Sequence, residues 1–197
     1  MVKRQKTRKT RSGRLRIVAG NWRSRLLEIA DVEGLRPTSE RISESLFNWL
    51  SPRIAGARCL DLFAGTGALG IEALSRGAAQ VVFVEKSGKA VATLTRNVQT
   101  LEASAAVVHH GDAKDFLRDA ADSEFDVVFL DPPFAADMLG DLCRLLNETS
   151  VLARDAQVYI EDDRSRAEVE LPDGWQVMKS KQAGNVRYSL VSTLDQR

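Results

Sequence analysis

At 197 residues and 21.7 kDa, with 44% apolar and 28% charged residues, the chain has material for one α/β domain with a small appendage. No apolar run approaches the ~18 residues of a membrane span and no signal-peptide core is recognisable, which predicts a cytoplasmic protein without membrane contact. Cys59 and Cys143 lack C-x-x-C spacing and lie in apolar stretches, which argues against a disulfide framework or a zinc site and for two reduced core cysteines.

The net charge of +1 hides an asymmetry. Residues 1–25 carry ten bases and no acid, leaving 18 bases and 27 acids for the other 172 residues. A basic arm on an acidic body is the footprint of a polyanion partner, most simply nucleic acid. Residues 1–13 are expected to be a disordered arm in the absence of that partner. Residues 14–52 then read as a hairpin-and-helix extension on the nucleic-acid side, and 53–197 as the main domain.

From Arg14 an alternating pattern (Leu15, Ile17, Ala19) predicts a strand, Gly20-Asn21 a turn, and Leu26–Ile29 a returning strand, so Arg14, Arg16, Arg23 and Arg25 decorate a small hairpin. Gly34-Leu35-Arg36-Pro37-Thr38 reads as a loop ending at a helix start capped by Thr38 or Ser39, with Ile42, Leu46, Phe47, Trp49 and Leu50 on one helical face and Pro52 beyond its end. Arg36 and Arg41 flank that cap, where free helix N–H groups also favour an anion. Arg41 could equally pair with Glu40 or Glu44.

The main domain opens with the apolar strand 58–63. Gly65-Thr66-Gly67-Ala68-Leu69-Gly70 follows, and then a helix to about Arg76, stopped by Gly77. A lone G-x-G-x-x-G is a weak signal, but here it lies between a strand and a helix, and Glu85 ends the next strand, 80–85, 18 residues past Gly67. That context predicts an adenosine-containing cofactor with Glu85 on the ribose hydroxyls. A nicotinamide cofactor would place a pyrophosphate on the glycines. S-adenosylmethionine would instead bring its methionine part to the backbone, and Asp61 could take its amino group; a lone strand aspartate can also cap locally. Asp112, after strand 105–109, reads both as a helix N-cap and as an acid near the adenine position. His109 and His110 have no partner at metal-ligand spacing, so no metal is expected.

Asp131-Pro132-Pro133-Phe134 follows the buried-type strand 125–130. Two prolines cannot continue a ladder, so the chain must turn at the carboxyl edge of the sheet, where open α/β folds bind ligands. The Asp131 carboxylate, the Pro132 carbonyl and an aromatic face suit a flat ring bearing an exocyclic amine; the alternative is a plain strand-ending turn. Strands near 58–63, 80–85, 105–109, 125–130 and 156–161 alternate with helices, and 175–181 and 187–193, joined at Ala183-Gly184-Asn185, form a terminal hairpin. The expected architecture is a Rossmann-like, mostly parallel seven-stranded doubly wound sheet with an antiparallel C-terminal hairpin.

These blocks together resemble the class I S-adenosylmethionine-dependent methyltransferases and, within them, the RsmD family of 16S rRNA guanine-N2 methyltransferases. The resemblance runs from about Arg14 through Arg16–Arg23, Gly34–Thr38 with Arg41, Phe47–Leu50, Asp61–Gly70 and Asp131–Phe134; the basic stretch before Arg14 is not prescribed by it. It implies S-adenosyl-L-methionine as cofactor, held by Asp61, Phe63, Ala64, Gly65, Thr66, Gly67, Glu85, Lys86, Asp112 and Ala113. Asp131, Pro132, Pro133 and Phe134 would be catalytic. Arg14, Arg16, Arg23, Arg25, Arg36, Thr38 and Arg41 would contact RNA. The implied partner is 16S rRNA or a small-subunit assembly intermediate, approached by a monomer. A DNA or RNA adenine methyltransferase would share Asp131–Phe134, a nicotinamide oxidoreductase the glycine loop, and a non-catalytic assembly factor the basic arm.

Overall fold

The computed structural model describes residues 13–32, 38–120, 124–133 and 138–193. The basic arm, Arg36 and Phe134 therefore lie outside the described residues. Seven strands form one sheet: β3 (Arg58–Asp61), β4 (Gln80–Glu85), β5 (Ala106–His110), β6 (Phe125–Leu130), β7 (Leu152–Asp163), β8 (Gln176–Ala183) and β9 (Val186–Ser192), in the order β5-β4-β3-β6-β7-β9-β8. β3 to β7 run parallel, whereas β9 is antiparallel to both β7 and β8. The connections run outward from β3 to β4 and β5, then cross back to β6 on the other side of β3. The crevice between the ends of β3 and β6 is thus a topological switch point, and it separates Asp61 from Asp131.

Each face of the sheet carries its own core. Helices α1 (Glu40–Leu50), α2 (Ala68–Ser75) and α3 (Gly88–Thr100) pack with Phe83, Phe129 and Tyr159 on one side. Helices α4 (Ala113–Asp119) and α5 (Leu139–Glu148) pack with Leu60, Val128 and Ile160 on the other. Cys59 and Cys143 are free and buried, one in each core; burial pushes the Cys143 thiol up to about 12. Among the described residues no helix is long and apolar enough to cross a membrane.

The α1 segment shows how sequence becomes packing. Ser39 caps it, its Oγ accepting from Ile42 N at 3.4 Å. The buried stripe Ile42, Leu46, Phe47, Leu50 recurs at helical spacing and lies on the sheet, Phe47 meeting Phe129 at 6.1 Å between ring centroids. Trp49 stacks on Tyr188 at 5.4 Å. Replacing the fully buried Phe47 with alanine is expected to cost about 3–5 kcal/mol.

The N-terminal hairpin departs from the expected shape. β1 (Arg14–Arg16) and β2 (Leu26–Glu28) pair antiparallel, but β1 stops three residues short of Ala19. The reason is Glu72 on α2, whose carboxylate accepts from the backbone N–H groups of Val18 (2.8 Å) and Ala19 (3.0 Å). Donors that would extend a ladder are taken by a side chain instead. Gly20 then adopts φ 83° against α2, where a Cβ would lie 1.8 Å from the Ser75 carbonyl oxygen, so only glycine fits. The other strand boundaries shift by a few residues: β3 ends at Asp61, two residues short of the expected end, whereas β7 is the longest extension, from Leu152 to Asp163.

Candidate active site

The loop after β3 is nearly free of side-chain bulk. Gly65 and Gly67 take φ values of 54° and 89°, and a Cβ on Gly67 would strike Leu94 Cδ1 at 2.5 Å. Gly67 is also the residue before the first turn of α2. The expected cofactor residues surround this loop. Glu85, ending β4, accepts from Gly65 N (2.8 Å) and Ser87 N (2.6 Å), so its carboxylate is oriented by the backbone on both sides. Asp112 caps α4 by accepting from Lys114 N at 2.9 Å and also accepts from Lys86 Nζ at 3.1 Å. That lysine and the backbone bond hold the Asp112 carboxyl below its ordinary value. Ala113 is buried as the first residue of α4, and Phe63 lies half-buried at the edge of the same core.

Asp61 has the local role weighed as its alternative. It is buried, and its Oδ2 accepts from Gly70 N at 3.1 Å, tying β3 to the first turn of α2. Burial, with a smaller contribution from the Glu85 charge, raises its carboxyl to about 7 against the pull of the Gly70 N–H. Such a carboxyl favours the arrival of a cation.

Across the switch point, Asp131 sits just beyond β6, partly open to solvent, with Pro132 buried and Pro133 exposed. Thr38, expected as a helix cap or RNA contact, does not cap α1, a role that belongs to Ser39. Its hydroxyl donates to Asp131 Oδ2 at 3.3 Å, joining two positions 93 residues apart. Two further residues complete this corner. Glu161 on β7 is 4% exposed, and Tyr159 Oη donates to its Oε1 at 2.7 Å. Loss of water and the neighbouring Glu161 and Asp61 charges push the Asp131 carboxyl well up, opposed by the Thr38 bond. Burial also raises Glu161, opposed by Tyr159 and Thr38. Neither Tyr159 nor Glu161 was among the expected site residues. The only signal for them in the sequence is an acid two places past an aromatic in a buried strand, which is indistinguishable from a strand running out into solvent.

The hairpin arginines behave differently. Arg14, Arg16, Arg23 and Arg25 are exposed, as is Arg41. Arg25 donates to the Thr100 carbonyl at 2.7 Å. The hairpin is nonetheless fixed to the glycine-loop side of the molecule. Asn97 on α3 is buried, accepts from Glu28 N (3.0 Å), and donates to the carbonyls of Glu28 (3.0 Å) and Thr66 (3.2 Å). Glu72, held also by Arg76 Nε at 2.6 Å, clamps the other end. A shallow cleft between hairpin and main domain is lined by Arg16, Val18, Thr38, Glu40, Ala68 and Glu72.

Comparison with known proteins identifies the family. The family model described as conserved hypothetical protein 95 matches residues 15–192. The ribosomal RNA small subunit methyltransferase D of Escherichia coli strain K12 is 42% identical over 179 residues, 91% of this chain and 90% of that protein. Its namesake in Haemophilus influenzae is 43% identical over 181 residues, 90% and 93% of the two chains. Among solved structures, the Escherichia coli protein yhhF superposes with a TM-score of 0.85 at 39% identity, covering 92% of this chain and 99% of its own. The chain is a member of the conserved hypothetical protein 95 family, the family of the RsmD methyltransferases.

Proposed function

We propose that the protein transfers a methyl group from S-adenosyl-L-methionine to the exocyclic N2 of a guanine in 16S rRNA of the small ribosomal subunit. The observation that carries the reading is the joining of two half-sites at one switch point: a bare glycine loop with backbone-oriented Glu85 on one side, and Asp131-Pro132 on the other. The relatives named for small-subunit rRNA methylation support the substrate class.

The residues fit the cofactor. Glu85 is held by Gly65 and Ser87 with lone pairs left on both oxygens, which suits a vicinal diol. Asp112 and Ala113 are placed at the adenine end, with Lys86 beside them. Asp61, Phe63, Ala64, Thr66 and the glycines take the methionine end, where the raised Asp61 carboxyl ionises on meeting an ammonium group. When bound, S-adenosylmethionine supplies an electrophilic methyl on a sulfonium. Everything else falls to the chain.

Guanine N2 is a weak nucleophile because its lone pair is delocalised into the ring, and the base must be unpaired or flipped to reach a pocket. Asp131 and the Pro132 carbonyl accept the two amine hydrogens, which draws the nitrogen toward tetrahedral geometry and localises the pair. Phe134 stacks on the base. Asp131 then faces a nitrogen that becomes positive, so its charge stabilises the transition state more than the ground state. Positioning accounts for much of the remaining rate.

Residues 1–13 and the extension 14–52 form the RNA side, with Arg14, Arg16, Arg23, Arg25, Arg36 and Arg41 on phosphates. The substrate is naked rRNA or an assembly intermediate, and the enzyme acts in the cytoplasm as a monomer. The test is methyl transfer from labelled S-adenosylmethionine to rRNA and to DNA, followed by nucleoside identification. Labelled N2-methylguanosine from rRNA alone is expected; label in adenine, or in DNA, overturns the reading.

A further inference from the structure

We infer that Glu161 is the proton-carrying partner of Asp131, and that Tyr159, Glu161 and Thr38 form a directed hydrogen-bond chain that ends on Asp131 and positions it for the base amine. The inference rests on the methyl-transfer reading above and adds two positioning residues to it, Tyr159 and Glu161, and a second task for Thr38.

The sheet register brings the two carboxyls together. β6 and β7 pair Phe129 with Tyr159 and Leu130 with Ile160, so the next positions along both strands are Asp131 and Glu161, on the face that carries Phe129 and Tyr159. Tyr159 is fully buried and Glu161 nearly so. Among the described residues no lysine or arginine pairs with either carboxyl. Among the described residues the groups that face the pair are Asp61 from β3, Tyr159 from β7 itself and Thr38 from the segment before α1, with Tyr188 from β9 beside Tyr159. All are acids or hydroxyls.

The hydroxyl inventory then decides where a proton must sit. Thr38 has one O–H, which it donates to Asp131 Oδ2, yet it is also within hydrogen-bonding reach of Glu161. Were both carboxyls ionised, one would face only the lone pairs of Thr38, and two like charges would adjoin in a dry site. A proton on Glu161 removes both conflicts. Tyr159 donates to one Glu161 oxygen, the protonated oxygen donates to Thr38, and Thr38 donates to Asp131, so every donor points the same way. Glu161 is the better holder because it is the more buried of the two. Asp131 is partly open, and its charge is stabilised by the nitrogen that turns positive. Raised titration of both groups is in keeping with one shared proton. Asp131 keeps its second oxygen for the base.

Three variants test the chain. Glu161→Ala is expected to lower kcat by about tenfold or more, the scale of one charge-assisted hydrogen bond. Glu161→Gln, whose amide can accept from Tyr159 and donate to Thr38, is expected to recover much of that loss and to flatten the fall in kcat expected of wild type as pH rises through the titration of Glu161. Thr38→Val is expected to lower kcat without changing the RNA KM or the affinity for S-adenosylhomocysteine, and Thr38→Ser to restore it. Glu161→Gln as inactive as Glu161→Ala, or an unchanged kcat in Thr38→Val, overturns the inference. A readout without RNA stands beside these. Groups raised on folding stabilise below their unfolded pKa and lose that contribution as pH rises through the folded value. Glu161→Gln should therefore lose less melting temperature than wild type as pH rises above about 4.5, the ordinary glutamate value. Equal losses overturn the inference even if the rRNA reading itself fails.

Discussion

The two sides of the switch point are built on opposite principles. On the glycine-loop side every carboxylate has a local backbone donor: Asp61 takes Gly70 N, Glu85 takes Gly65 N and Ser87 N, and Asp112 takes Lys114 N. On the proposed catalytic side the donors to Asp131 and Glu161 among the described residues are hydroxyls, delivered from Thr38 and Tyr159. Backbone donors from one βα unit make a stable, preformed binding surface. Hydroxyls from distant segments leave carboxyls whose charge is poorly compensated, which suits a site that must respond to a nitrogen acquiring positive charge. On the proposed function, the contrast separates binding from chemistry at the level of who solvates each acid.

The largest expected break of this contrast is at Asp131. Asp131→Ala should lower turnover by roughly 10²-fold or more while leaving S-adenosylhomocysteine binding in place, checked by single-turnover methyl transfer and calorimetry. The converse substitution, Glu85→Ala, should weaken S-adenosylhomocysteine binding by about 10–100-fold, the range for hydrogen bonds to a charged acceptor, because it removes the proposed diol contact and frees Gly65 N. A comparable kcat loss with unchanged affinity would show that the division of labour is wrong.

Smaller effects sharpen the comparison. Glu72→Ala leaves the Val18 and Ala19 N–H groups without acceptors and should cost about 1–3 kcal/mol, read as a lowered denaturation midpoint. Because Glu72 fixes the hairpin to α2, the same variant should also weaken RNA binding. Deleting residues 1–12 should lower RNA affinity and flatten its salt dependence, the slope of log affinity against log salt falling by roughly 0.7–0.9 for each phosphate that the arm neutralises, with cofactor affinity unchanged. An unchanged salt slope would remove the arm from the RNA side. The smallest effect is on pH. Asp61, raised by burial from 3.8 to about 7, gives a stabilising contribution that is lost as pH rises between those two values, so the melting temperature should fall from about pH 5 to pH 7, and bound S-adenosylmethionine should reduce that fall.

Legibility in the sequence followed the same divide. The glycine spacing, Glu85 at a strand end and Asp112 before a helix are local patterns, and the geometry places all three where local rules put them. The parallel sheet and terminal hairpin were likewise readable from strand–helix alternation. The catalytic side depended on register between strands far apart in the chain. Tyr159-Ile160-Glu161 reads as a strand leaving the core, and only its pairing with β6 buries Glu161 beside Asp131. Thr38 looked like a cap because it precedes a helix, but Ser39 is the capping residue and Thr38 is thereby free to turn inward. Glu72 lies on α2, which is buried almost all round, and its carboxylate serves the hairpin backbone. None of these roles has a signature within one element.

The central claim is that Asp131 activates an exocyclic guanine amine beside a cofactor held by the other half of the sheet. The most direct measurement compares wild type with Asp131→Ala on rRNA or small-subunit particles, using labelled S-adenosylmethionine, nucleoside identification and a parallel S-adenosylhomocysteine titration. The account predicts labelled N2-methylguanosine with wild type and almost none with the variant, at equal S-adenosylhomocysteine affinity. Undiminished N2-methylguanosine from the variant, or a wild-type product on another base, would contradict it.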